Sequence, residues 1–393
     1  MIPSVASSTS MSLQDLIVQT VQDIESKTNT TTTTTDAVSV DKTEDGDTND
    51  ALTTKSCQFR TSLTRDELLH KVRNIRAMIT DVDGTLLSHT PPPHLHPTTE
   101  RAIANAVEAV YSPLHPLQYF FPATGKTRSG AMRSLGPAVA NLLQQCPGVY
   151  VQGLYCLDDQ GKVIFEQKLS HAAIAAVETF VTQLQQTAAA PWNLTLLAYD
   201  GDVIRYNPTM SNGAAHLQEV HAQWGEPSPV PLNARRDPNN STTTTTMSLS
   251  TYGPSFHKLL IMGNDPVVIS QTLRPQLEAL VATLSSSTES ECVVTQAIPT
   301  MLEILPGGCS KAYGVQQVCE YYGIDVSTQV CTLGDAENDY DMIQMASLGI
   351  AVGNAIPALQ DVADIVMVET STEGAAGQAI EFFGLGKIID SME

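Results

Sequence analysis

Positive charge is scarce in this chain. Its 393 residues carry 21 Lys and Arg against 42 Asp and Glu, a formal net charge of −21 with a pI near 4.7. Nucleic acid and anionic membrane surfaces would both repel such a protein at long range, so neither is expected as a partner. A small anionic ligand is compatible with this balance if a local positive centre, such as a metal ion, receives it. No apolar run approaches the roughly 18 residues that cross a bilayer. The first arginine comes only at Arg60, which fits neither a secretory leader nor a transit peptide. The seven cysteines (Cys57, Cys146, Cys156, Cys292, Cys309, Cys319 and Cys331) form no CxxC pair and no zinc spacing. Reduced thiols in a cytoplasmic compartment, or an organellar one, are the expectation.

Apolar residues make up 42% of the chain, enough for a large core, and the length suits two folded domains plus a tail. Residues 1–65 read as a disordered tail: Thr30–Thr35 is a homopolymer and Asp41–Asp50 is polar and acidic. Such composition buries too little surface to offset chain entropy. A second threonine tract, Thr242–Thr246, lies in a Pro- and Asn-rich stretch near 227–255 and reads as a surface insertion.

Between these stretches, short apolar runs alternate with helical patterns. Strands are expected at Ala77–Thr80, Gln118–Pro122, Val149–Gln152, Val330–Leu333 and Gly349–Val352. Helices are expected at Glu100–Val110, Arg128–Leu143, Ala312–Tyr322 and Asn338–Met345. The alternation implies an α/β fold with a parallel sheet covered on both faces, whose ligands bind beyond the carboxyl ends of the strands.

Four segments place unusual polar groups on that rim: Asp81 and Asp83; Thr124, Gly125 and Lys126; Ser310 and Lys311; and Asp335, Glu337, Asn338 and Asp339. Asp81, Asp83, Asp335 and Asp339 set four negative charges against Lys311. Two carboxylates about 4 Å apart repel by about 4 kcal/mol at an effective dielectric near 20. A bound divalent cation resolves the conflict, and an all-oxygen donor set suits Mg2+. Such a centre recruits a phosphate. Asp81 is then the expected nucleophile and Asp83 the general acid and base, aimed the same way by strand alternation. Thr124, Gly125, Lys311 and Asn338 are the expected phosphate contacts. Asp81, Asp335, Asp339 and the backbone carbonyl of Asp83 are the expected metal ligands.

The ordered set DVDGT (81–85), ATGKTR (123–128), Lys311 and GDAENDYDM (334–342) resembles the haloacid dehalogenase superfamily of Mg2+-dependent phosphatases. With "GIAVGNA" (349–355) and "ADIV" (363–366) it looks most like the Cof-type subfamily. The resemblance implies a Rossmann-like core, an aspartyl-phosphate mechanism and a mobile cap. Only 37 residues separate Leu87 from Thr124, too few for a helical cap, whereas 187 separate Thr124 from Lys311. An inserted α/β cap of the second (C2) type is therefore expected at 153–299, with the core at 66–152 and 300–393. Where subfamily members often carry Asn-Gly-Ala after the third strand, this chain has Gln152, Gly153 and Leu154.

The expected activity is hydrolysis of a small phosphate monoester, a sugar phosphate or a phosphorylated cofactor. The rivals are a phosphomutase or phosphotransferase using the same intermediate, and a non-catalytic metal- and phosphate-binding module. "GKT" at 125–127 lacks the upstream glycine of a P-loop, because position 120 is Phe120. His89, His94 and His96 read as an exposed Pro-rich loop. Asp200, Gly201 and Asp202 read as a hairpin turn, and residues 257–262 as a buried strand. Glu303 is either a support of the site or an edge-strand charge.

Overall fold

The computed structural model describes residues 51–54, 57–186, 193–208, 214–232, 235–237, 240–245, 247–253, 255–285, 292–296 and 298–392. The acidic stretch 41–50 and the threonine tract 30–35 lie outside these residues.

The main sheet runs in the order Ala51–Thr54, Cys57–Thr61, Ile365–Met367, Leu348–Ala351, Val330–Gly334, Ala77–Thr80, Tyr119–Pro122. The last five are parallel, and the first two form an antiparallel edge. Ala77–Thr80 is buried at all four positions, as expected of a strand covered on both faces. Its neighbours are the next strand in the chain on one side and Val330–Gly334 on the other. The strand order therefore reverses there, and the carboxyl ends of these two strands are where open α/β sheets place their ligands.

Several sequence expectations need correction. The edge strand Cys57–Thr61 and the helix Arg65–Asn74 extend the folded body into the stretch assigned to a tail ending at 65. Phe59 is buried against Phe383, which seats the strand in the core. The helix expected at Arg128–Leu143 is two, Arg128–Leu135 and Pro137–Leu143, broken where Gly136 takes φ 84 before a proline. Gly148–Tyr150 touches the main sheet only through the Ala123–Val149 bridge. It instead builds a three-stranded antiparallel sheet with Tyr155–Leu157 and Val163–Glu166, packed on helix Lys311–Tyr322. Residues 153–166 thus sit with the parallel-sheet body and not beyond a boundary at 153.

A second sheet runs in the order Val230–Pro231, Val203–Tyr206, Thr195–Asp200, Lys258–Met262, Met301–Pro306, Cys292–Thr295. Met301–Pro306 belongs to it, so the boundary at 300 moves past this strand. Strand alternation sorts its faces. Leu196, Ala198, Leu259, Ile261, Leu302 and Ile304 join a core under helices His171–Gln186 and Arg274–Ser285. Leu197, Tyr199, Leu260, Met262, Met301 and Leu305 join the core of the parallel-sheet body. Residues 257–262 are buried, as expected, and Asp200–Asp202 form the expected hairpin turn.

Candidate active site

The buried strand Ala77–Thr80 delivers Asp81 to this switch point, and the turn Val82–Leu86 follows at once. Gly84 holds that turn at φ 81, and a Cβ there would lie 2.3 Å from Asp335 Oδ2. Conformation and close approach together demand glycine. The strand stops at Thr80, so the turn and not the pleat sets the direction of Asp83. Its side chain is 45% exposed against 5% for Asp81. Asp83 Oδ1 meets Lys126 Nζ at 2.6 Å, and that ammonium also donates to Ser134 Oγ at 3.0 Å.

Lys311 opens a helix capped by Ser310, whose Oγ accepts from Tyr313 N–H at 3.2 Å. The buried ammonium donates to Asp81 Oδ1 at 2.5 Å and to Asp339 Oδ1 at 2.7 Å. Asp339 Oδ2 accepts the N–H groups of Asp335 and Ala336 at 3.0 and 3.1 Å, tying down the loop after Val330–Gly334. Asp335 Oδ1 accepts from Thr85 at 2.9 Å. Asn354 donates to the Gly84 carbonyl at 2.9 Å and takes Ser371 N–H at 2.7 Å, bracing the turn from behind.

Oxygens of Asp81, Asp335 and Asp339 lie within 4.8 Å of one another. Burial, with Asp339, Asp335 and Asp83 nearby, pushes the Asp81 carboxyl well above its usual range despite Lys311. Burial and Asp339 push Asp335 up to about 7. Burial pulls the Lys311 ammonium down, but Asp339 and Asp81 outweigh it and hold it firmly protonated. One ammonium therefore faces three carboxylates. Asp81 Oδ2 takes no hydrogen bond among the described residues. An excess of negative charge, an all-oxygen donor set and a spare carboxylate oxygen together fit a hard divalent cation.

The segment Thr124–Lys126 is fixed almost atom by atom. Thr124 N–H donates to Val149 O at 2.9 Å, Thr124 O accepts from Gln152 N–H at 3.1 Å, and Lys126 O accepts from Val151 N–H at 2.9 Å. Lys126 N–H donates to Thr124 Oγ1 at 3.2 Å, and Gly125 O accepts from Lys258 Nζ at 3.1 Å. Two donors are left over: the Gly125 N–H, which has no partner among the described residues, and the Thr124 hydroxyl proton. A rigid loop presenting two spare donors is preorganised for an anion.

Asp81, Asp335, Asp339 and Lys311 are thus in direct contact or within one carboxylate of each other. Asp83 joins the Thr124–Lys126 loop through Lys126, and Asn338 reaches it through Gln152, whose Oε1 accepts from Asn338 Nδ2 at 3.1 Å. Sequence reasoning set Lys126 on the rim without giving it a role, and missed Thr85, Gln152, Lys258 and Asn354 as site residues. Thr85 and Asn354 stand inside motifs already visible (DVDGT and GNA), but nothing local signals the others. Glu303 is buried on an inner strand, not an edge. The three loop histidines do not converge: His94 meets Ser88, His89 meets Ser371 and His96 caps its own helix.

The sequence profile of the haloacid dehalogenase-like hydrolases matches residues 78–380. The chloroplastic endoribonuclease YBEY of Arabidopsis thaliana is 27% identical over 304 residues, 75% of this chain but 44% of that protein, so the chain spans less than half its length. An uncharacterised hydrolase of Schizosaccharomyces pombe is 24% identical over 81% of this chain and 93% of its own. The 5-amino-6-(5-phospho-D-ribitylamino)uracil phosphatase YitU of Bacillus subtilis is 33% identical over 85 residues, 22% of this chain and 31% of that one. Among solved structures, a HAD/COF-like hydrolase from Plasmodium vivax superposes with a TM-score of 0.60 at 18% identity, covering 80% of this chain and 98% of that one. A sugar phosphatase of HAD subclass IIB gives 0.56 at 16%, covering 79% and 99%. These likenesses show a shared Cof-type fold. No helix among the described residues is long and apolar enough to cross a membrane.

Proposed function

This chain belongs to the haloacid dehalogenase-like hydrolases, and on that premise we propose that it is a Mg2+-dependent phosphatase acting on small phosphate monoesters through a phosphorylated Asp81. The observation that carries the reading is the trio Asp81, Asp335 and Asp339 gathered around Lys311 beside a loop with two unspent donors. The names of phosphatase relatives agree with it.

In this reading Asp81, Asp335 and the Asp83 carbonyl hold Mg2+, with Asp339 assisting directly or through a water. The ion, when bound, keeps Asp81 ionised and offsets the charge of the phosphate. Thr124 O–H, Gly125 N–H, Asn338 and Lys311 grip the phosphoryl oxygens. The Asp81 carboxylate attacks phosphorus in line while the P–O bond to the leaving group breaks, and Asp83 gives that oxygen its proton. Asp83 then takes a proton from water as the water oxygen attacks the aspartyl phosphate. Orthophosphate leaves, and both carboxyl groups return to their starting state. The second sheet and its helices act as a cap, closing over the substrate and excluding bulk water.

The decisive measurement is orthophosphate release from p-nitrophenyl phosphate. Wild type with Mg2+ is expected to turn over without an acceptor sugar, whereas EDTA treatment or Asp81→Asn abolishes release. Equal rates for wild type and Asp81→Asn would remove the nucleophile assignment, and a requirement for an acceptor sugar would favour a transferase.

A further inference from the structure

The inner face of the second sheet carries a single charge pair among mostly apolar side chains. Lys258 and Glu303 share it with Leu260, Met262, Met301 and Leu305, and both are almost completely buried. An apolar pair of similar volume would serve packing at least as well, so the placement calls for another account.

An ammonium has three donors; Lys258 gives two to protein oxygens and stands over an aromatic ring. Glu303 Oε1 lies at 2.5 Å, Gly125 O at 3.1 Å, and the Tyr199 ring centroid at 4.5 Å from Nζ. All these contacts lie within the protein and the side chain is buried, so this lysine acts on what it holds. Its hold on Gly125 O complements the bond from Lys126 N–H to Thr124 Oγ1, and the Gly125–Lys126 peptide is pinned from both sides. Glu303 Oε2 in turn accepts from Gln152 Nε2 at 3.2 Å and from Thr295 Oγ1 at 3.4 Å. Gln152 Oε1 accepts from Asn338. An unbroken run therefore leaves the site at Gly125, passes through two strands of the second sheet, and re-enters it at Asn338.

Backbone strain marks the same path. Val151 and Gln152 take φ 54 and φ 62, the two non-glycine residues with positive φ among the described residues, and the first is β-branched. Strain of this kind persists only where the surroundings over-determine it. Here the bonds from Val151 and Gln152 to Lys126 and Thr124 do so, and they aim Gln152 between Glu303 and Asn338.

We propose that Lys258 and Glu303 are positioning residues carried by the second sheet, which complete the phosphate cradle by fixing the Gly125 peptide and the Asn338 side chain. This rests on the phosphatase reading, and orthophosphate binding separates the two. The full chain is compared with Lys258→Met/Glu303→Gln, which removes both buried charges together, by calorimetric titration of orthophosphate in Mg2+ and by p-nitrophenyl phosphate kinetics. The expected result is orthophosphate binding weaker by about 10- to 100-fold, a parallel fall in kcat/KM, and a thermal midpoint that does not track either. Should the double variant fail to fold, Glu303→Gln alone is expected to weaken orthophosphate binding in the same direction. A Kd within twofold of wild type in whichever variant folds overturns the proposal. Wild type that binds orthophosphate but hydrolyses nothing counts against the phosphatase reading alone, and wild type that binds none overturns both.

Discussion

At Lys311 one ammonium answers for three carboxylates, two of them buried, and removing either sign has opposite consequences. Lys311→Met leaves Asp81 and Asp339 facing each other without compensation. Stability should fall by about 3 kcal/mol, read as a lower urea midpoint with an unchanged slope. Asp81→Asn removes one of the competing negative charges. In metal-free buffer its thermal midpoint is expected at or above that of wild type, although activity falls at least about a thousandfold. A metal-free Asp81→Asn protein that melts well below wild type would contradict the charge balance described for the site. The two ammonium groups differ in kind. Lys311 is locked between Asp81 and Asp339, whereas Lys126 holds the half-exposed Asp83 at the rim.

Among the elements, the short helix Arg128–Leu135 shows how packing overrides propensity. Gly130 lies in its first turn, where alanine would ordinarily add up to about 1 kcal/mol. A Cβ there would come within 2.2 Å of Glu226 Oε2. That carboxylate is buried, accepting both the N–H and the hydroxyl of Thr127. Gly130→Ala is therefore expected to lower the thermal midpoint, and the loss should shrink in a Glu226→Ala background. Additive losses in that cycle would show that the two side chains do not compete. Strand positions such as Ala77–Thr80 and Val330–Gly334 were legible because a buried parallel strand is a plain apolar run ending in a polar group. Sheet membership was not, since Gly148–Tyr150 and Met301–Pro306 carry the same composition as their neighbours and partner choice is decided by distant chain. The acidic motifs marked the candidate site for a similar reason: like charges concentrated at strand ends repel unless a cation offsets them. Gln152 and Lys258, and the pairing of Lys126 with Asp83, escaped because their directions come from turns and from a facing sheet, which leave no local mark.

For the whole molecule the sign of the pH dependence follows from the raised carboxyl groups. Asp335, with a folded pKa of about 7, binds its proton more tightly folded than unfolded. Its contribution to stability is complete below about pH 4 and is lost as pH climbs through about 7. Burial shifts Asp81 and Glu226 in the same direction. Metal-free protein should therefore melt at a lower temperature at pH 8 than at pH 5, and Mg2+ should raise the midpoint more at pH 8, where fewer protons must be displaced. A shift on adding Mg2+ that is larger at pH 5 would contradict this, and differential scanning fluorimetry at fixed ionic strength measures it.

The strand Met301–Pro306 ends only a few residues before the helix that begins at Lys311. Through so short a tether, any rocking of the second sheet is a pull on the very group that neutralises the pocket. On the phosphatase reading, opening of the proposed cap would then loosen the electrostatic grip on spent phosphate in the same motion.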